Sequence, residues 1–214
     1  MDNNKSRLQY IDGKLTLCSG DMNLYGDFSQ LIPRLKINNL NGEMLIKAAK
    51  LKGMDHTPIA VDMTAGLGED AFLLAGAGCK VIMFEQDEVI ASLLEDAIKR
   101  GKEIVEIKEV MDRMTLIKGD SIEGVKSLDI IPDIVYLDPM FPQRQKSGLI
   151  KKKFQIIHEL EKPCSNGSDL LNAAISTKAK KIIVKRPQKG ENLVDIKPNY
   201  TISGKAIRYD VYIY

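Results

Sequence analysis

Cysteine and histidine are scarce in this 214-residue chain, and their spacing is uninformative. Cys18, Cys79 and Cys164 are odd in number and far apart, with only His56 and His158 to join them, which argues against a disulfide framework and against a zinc site. No metal is therefore expected. Long apolar runs are also missing: none approaches the ~20 residues a membrane span needs, and the opening Met1-Asp2-Asn3-Asn4-Lys5 lacks the apolar centre of a signal peptide. A cytoplasmic location without membrane contact is the expectation. There is no internal repeat or low-complexity tract. What remains is an ordinary globular composition, 44% apolar and 28% charged, at a length that suits one domain with a sizeable core.

The formal net charge of +2 conceals a strong segregation. From Glu85 to Asp112 there are nine acids against four bases. Between positions 143 and 153 there are five bases and no acid, among them Arg144, Lys146, Lys151 and Lys152; between 176 and 190 there are six more bases, including Lys185 and Arg186, and again no acid. A single lysine run is usually a solvated face. Two acid-free basic stretches in the second half of the chain instead favour a surface that attracts a polyanion such as RNA.

Leu8 to Ile11 and Lys14 to Leu17 flank Asp12-Gly13, the signature of a hairpin with a type I′ turn. Residues 19–42 read as loop with a weak element, and 43–51 as a helix. Strands are then predicted at 59–63, 80–84, 114–118, 133–137, 181–185, 199–203 and 207–213. Helices are predicted at about 69–77, 87–100, 103–112, 121–128, 148–160 and 168–178. Alternation of this kind implies an α/β fold with a mostly parallel sheet covered on both faces. The last two strands lack an intervening helix and must pair antiparallel. This is the seven-stranded, Rossmann-like arrangement of class I methyltransferases, here with residues 1–50 as a small N-terminal extension bearing a β-hairpin and 51–214 as the main domain.

Ile59 to Asp70 has the strand, glycine-rich turn and helix start of a nucleotide-binding crossover. Gly66 and Gly68 permit close backbone approach to a ligand, and the helix from Glu69 and Asp70 aims its N-terminus at it. The pattern also fits a dinucleotide binder. Glu85, followed by Gln86, ends the second strand where a carboxylate can accept from both ribose hydroxyls. Asp120, followed by Ser121, ends the third and suits an adenine amino group. Such a charge-assisted bond is worth ~1.5 to 3 kcal/mol, or roughly tenfold to a hundredfold in affinity. Asp62 adds a further acid beside the turn. This crowd of carboxylates suits the sulfonium of S-adenosylmethionine better than a pyrophosphate, leaving NAD and an oxidoreductase activity as the alternative.

Asp138-Pro139-Met140-Phe141-Pro142 closes the apolar run Ile134 to Leu137. It resembles the D-P-P-F/Y signature of enzymes that methylate exocyclic amines of bases. The Asp138 carboxylate and the Pro139 carbonyl can accept from the two N–H groups of such an amine, and Phe141 can stack on the flipped ring, a contact worth ~1 to 3 kcal/mol. A proline-bracketed strand end with Phe141 in the core is the bland alternative.

At these residues the chain resembles the ribosomal RNA small subunit methyltransferase J family. The likeness rests on Asp62 to Phe72, on Val135 to Pro142 with Gln145-Lys146-Ser147 and Lys151-Lys152, and on Val184 to Pro187. The resemblance implies methyl transfer from S-adenosylmethionine to a guanine N2 of 16S ribosomal RNA, and cofactor contacts at Glu69, Asp70, Glu85, Gln86, Asp120, Ser121 and Asp138. Glu69 and Gln86 stand where arginines are common in the family, and the segment from Arg34 to Glu43 follows the family's basic, glycine-rich pattern only in part. A non-catalytic RNA-binding assembly factor is a further alternative, against which Asp138 and Phe141 argue.

Overall fold

A computed structural model describes residues 6–139 and 167–214. The N-terminal part forms a three-stranded antiparallel sheet of β1 (Arg7–Ile11), β2 (Lys14–Ser19) and β3 (Met22–Leu24). Asp12 and Gly13 both take positive φ, 48° and 74°, as a type I′ hairpin requires. A 3-10 segment over Phe28–Leu35 and the short helices α1 (Ile37–Gly42) and α2 (Met44–Ala49) lead into the main sheet.

The main sheet contains β4 (Ile59–Asp62), β5 (Lys80–Glu85), β6 (Met114–Lys118), β7 (Ile134–Leu137), β8 (Lys181–Pro187), β9 (Tyr200–Ser203) and β10 (Ile207–Ile213), in the order β6-β5-β4-β7-β8-β10-β9. β4 to β8 run parallel, whereas β10 is antiparallel to both β8 and β9. The helices between strands are α3 (Glu69–Gly76), α4 (Glu88–Lys102), α5 (Lys108–Asp112), α6 (Ser121–Gly124) and α7 (Gly167–Ser176).

Strand periodicity divides the core into two layers. Ala60, Ile134, Tyr136 and Ile183 face α2, α3 and α5, while Val61, Val135, Leu137, Ile182 and Val184 face α7. α4 is apolar on a broad stripe, so Leu94 and Ala97 join the first layer while Ile90 and Leu93 carry Leu17 and Leu24 of the small sheet. Its start is fixed by Asp87, whose carboxylate accepts from the N–H groups of Val89 and Ile90 at 2.9 Å each. Lys99, Arg100 and Lys102 in its last turn complement the helix dipole.

The predicted strands agree with those observed within about two residues, and every predicted pairing direction holds. Three differences have local causes. β3, the 3-10 segment and α1 occupy the stretch read as loop, because hydrophobic residues such as Leu24, Phe28 and Leu40 bury against the main domain rather than follow a local period. The helix expected over 103–112 begins at Lys108, since Ile104 to Ile107 form tight turns instead. That over 121–128 finishes as a 3-10 turn, Val125–Ser127. The helix expected over 148–160 lies outside the described residues.

One buried cation ties α2 to the sheet. Lys181 is 7% exposed, and its ammonium donates to the carbonyls of Ala48 and Lys50 at 2.9 and 2.8 Å and to the Tyr200 hydroxyl at 3.1 Å. Lys181→Met strips the Lys50 carbonyl of this donor and leaves the Ala48 carbonyl only the longer bond from the Tyr200 hydroxyl at 3.4 Å, and should cost roughly 1 to 3 kcal/mol. Urea denaturation measures this; an unchanged midpoint would contradict the assignment.

Candidate active site

The C-terminal ends of β4, β5, β6 and β7 are stitched together by backbone bonds. Met63 N–H donates to the Tyr136 carbonyl at 3.0 Å, Ala65 N–H to Phe84 at 3.0 Å, and Gly119 N–H to Glu85 at 2.8 Å. At this edge the chain makes the glycine turn, with φ of 54° at Gly66 and 76° at Gly68. A Cβ on Gly66 would enter open space, whereas one on Gly68 would stand 2.7 Å from Leu94 Cδ1. Gly68 thus seats the turn on α4, and Gly66 leaves its outer side clear for a ligand.

Glu85 lies beneath this turn, 6% exposed. Its Oε2 accepts from Gly66 N–H at 2.8 Å and its Oε1 from Asp87 N–H at 2.9 Å. A carboxylate has about four acceptor positions. Two are taken by fixed backbone donors, and those donors hold it in a set orientation with capacity for two hydroxyls. Burial pushes its pKa up, against the opposing pull of the Asp87, Gly66 and Gln86 N–H groups. Gln86 itself is exposed, as are Glu69 and Asp120; Asp120 also caps α6 by accepting from Ile122 N–H at 2.8 Å, and Ser121 is buried behind it.

Asp62 is 1% exposed and its pKa is pushed up to about 8. Burial is the main cause; the Thr64 N–H at 3.0 Å opposes it, and the neighbouring Asp70, Asp138 and Glu85 add to it. The Thr64 hydroxyl in turn accepts from Asp138 N–H at 2.6 Å, so one threonine links the ends of β4 and β7. Asp138 leaves β7 with its side chain 39% exposed, followed by buried Pro139. Burial raises the Asp138 pKa and Lys185 lowers it, with a net upward shift.

Asp70 and Lys185 are placed differently from the sequence reading. Asp70 Oδ2 accepts from the Tyr136 hydroxyl at 2.6 Å and from Lys185 Nζ at 2.8 Å. Lys185 Nζ also lies 2.8 Å from Asp138 Oδ2. Asp70 therefore faces the Asp138 side of the edge as well as the glycine turn, and Lys185 is drawn inward by two carboxylates rather than offered to a phosphate. Arg186 is 5% exposed and its Nε donates to the Glu191 carbonyl at 2.7 Å, so burial in the sheet removes it too from an outer phosphate-binding face. Phe141, Arg144, Lys146, Lys151 and Lys152 lie outside the described residues.

Tyr136, Tyr209 and Thr64 join the site unannounced. A signal existed for Tyr136: it stands two residues before Asp138, and period 2 puts both on one face. Among the described residues no group of three or more acidic, histidine or cysteine side chains could hold a metal ion, and no helix is long and apolar enough to cross a membrane.

The fold and the edge together define a class I methyltransferase, and the donor set fits its cofactor. Glu85 suits a ribose diol, Gly66 leaves room for close approach, and the buried acids Asp62 and Glu85, with the half-buried Asp138 beside them, suit a cation better than a pyrophosphate. Comparison with known proteins agrees. Residues 2–214 match the family described as "Putative SAM-dependent methyltransferase". A protein of Shewanella denitrificans named ribosomal RNA small subunit methyltransferase J is 44% identical over 84% of this chain and 73% of its own length. One of the same name from Tolumonas auensis is 42% identical over 84% and 72%. The crystal structure of a SAM-dependent methyltransferase from Neisseria gonorrhoeae is 32% identical, with a TM-score of 0.80 over 100% of this chain and 84% of that one. The chain belongs to the ribosomal RNA small subunit methyltransferase J family and is a SAM-dependent enzyme. The NAD reading is thereby set aside.

Because the Asp62 carboxyl resists ionisation, its protonated form favours the folded cofactor-free protein; that contribution is complete below 3.8 and is lost as pH rises through about 8. A cation bound beside Asp62 would reverse the preference and expel the proton. Cofactor affinity should therefore rise as pH climbs toward about 8. Calorimetry at pH 7 in buffers of different ionisation heat should report net proton release that Asp62→Asn abolishes; no release in the native protein would contradict this role.

Proposed function

We propose that this enzyme methylates the exocyclic N2 of a guanine in 16S ribosomal RNA, as part of rRNA processing on the small ribosomal subunit. The observation that carries this reading is the adjacency, at one sheet edge, of the Glu85 and Gly66 cradle with Asp138-Pro139. The names of the relatives, at 42 to 44% identity, support RNA of the small subunit as the substrate.

When bound, S-adenosylmethionine supplies an electrophilic methyl group on a positively charged sulfur. The protein's part is placement. Glu85 accepts from the ribose hydroxyls, Asp120 and Ser121 border the adenine, and Asp62 balances the positive charge. Gly66, Gly68 and the first turn of α3 at Glu69 and Asp70 shape the wall, and Gln86 flanks the ribose.

On the substrate side, a guanine N2 is a poor nucleophile because its lone pair is delocalised into the ring. The Asp138 carboxylate and Pro139 carbonyl accept from its two N–H groups and turn the lone pair toward the methyl carbon. A nitrogen–carbon bond forms as the carbon–sulfur bond breaks, and the surplus N–H proton passes to solvent. Alignment of this kind accounts for most of the acceleration. Phe141 stacks on the flipped ring, and Arg144, Lys146, Lys151 and Lys152 meet the RNA backbone.

Incubation with labelled S-adenosylmethionine and small subunits lacking the modification should yield N2-methylguanosine, identified by mass spectrometry. Asp138→Ala should lower turnover by roughly a hundredfold or more while the melting temperature stays within a few degrees. N6-methyladenosine as product would discard the target, and full activity of Asp138→Ala would discard the site.

A further inference from the structure

Lys185 is a cation at this edge with no part in holding the cofactor or the RNA backbone. Its side chain is 23% exposed and holds Asp138 Oδ2 and Asp70 Oδ2 at 2.8 Å each. Asp70 is braced from behind by the Tyr136 hydroxyl at 2.6 Å. Strand register explains the assembly: Leu137 lies beside Val184, so Asp138, just past the end of β7, and Lys185, within β8, stand at the same level, and Lys185 also stands opposite Tyr209 of β10. Reaching an RNA phosphate would require Lys185 to break two ion pairs.

We infer that Lys185 is a positioning residue for methyl transfer: braced by Asp70, it fixes one oxygen of Asp138 so that the other faces the amine of the incoming base. This rests on the role given to Asp138. Among the described residues, the titratable and charged groups close enough to Asp138 to act on it are Asp62 on β4, Tyr136 on its own strand, Lys185 on β8, Asp70 on α3 and Tyr209 on β10, with Arg186 on the opposite face of β8. Burial and Asp70 oppose the ionisation of Asp138, and Lys185, the cation in contact with it, favours it, helped from farther off by Arg186. Only an ionised Asp138 accepts with both oxygens, one toward Lys185 and one toward the substrate.

The test is the pH dependence of kcat and KM, with S-adenosylmethionine and unmethylated small subunits, for the native enzyme and for Lys185→Met, Lys185→Arg and Asp70→Asn. Lys185→Met should lower kcat by about tenfold or more, leave KM for both substrates within about twofold, and move the acid limb of the kcat profile upward by about one pH unit. Lys185→Arg should restore most of both. Asp70→Asn removes a like charge and should move the limb the other way, which keeps the inference testable if Lys185→Met folds poorly. A uniform loss with an unmoved limb in both variants overturns it, as does a raised KM for the subunit at unchanged kcat, which would return Lys185 to phosphate binding. Asp138→Asn separates the layers: full activity there sinks the reading of Asp138 itself, whereas an inactive Asp138→Asn beside an unmoved limb sinks only the part given to Lys185.

Discussion

The Glu85 carboxylate, clamped between the backbone N–H groups of Gly66 and Asp87, is the contact on which the rest of the site depends. It joins the end of β5 to the glycine turn after β4 and to the residue that caps α4. One buried acid therefore sets the height of the turn, the start of the longest described helix, and the direction in which its own remaining lone pairs point. Burial of that charge is tolerable because the donors are backbone groups that cannot swing away.

Around it the protein accumulates negative charge where most folds avoid it. Asp62, Asp70, Glu85 and Asp138 converge on one sheet edge, and the raised pKa values of Asp62, Glu85 and Asp138 express the cost. Two cations offset that cost. Lys185 is built in, against Asp70 and Asp138; the sulfonium arrives with the cofactor. The site is thus an electrostatic frame completed by its ligand, a common way for local instability to serve function.

Much of this was legible in the sequence because parallel strands buried on both faces are short apolar runs, and their ends are marked by acids and glycines. Asp62, Glu85, Asp120 and Asp138 were readable as strand-end carboxylates, and each stands at a strand end. The register of Lys185 was not readable. A lysine in Lys181 to Pro187 looks like any other base in an acid-free stretch, and only the pairing of β8 with β7 and β10 turns it toward Asp138 and Asp70. Arg186 points the opposite way along the same strand and is buried with Glu191 for the same reason. The N-terminal pieces were illegible for a different cause: β3 and α1 are too short for a period and are held by packing on α4 and α3.

If donor and acceptor meet at this edge, Glu85 is the ribose ligand. A crystal structure with S-adenosylhomocysteine tests it most directly. Both ribose hydroxyls should lie within hydrogen-bond distance of the Glu85 carboxylate, with the sulfur turned toward Asp138. A ribose bound elsewhere, with Glu85 still closed on Gly66 and Asp87 alone, would contradict it.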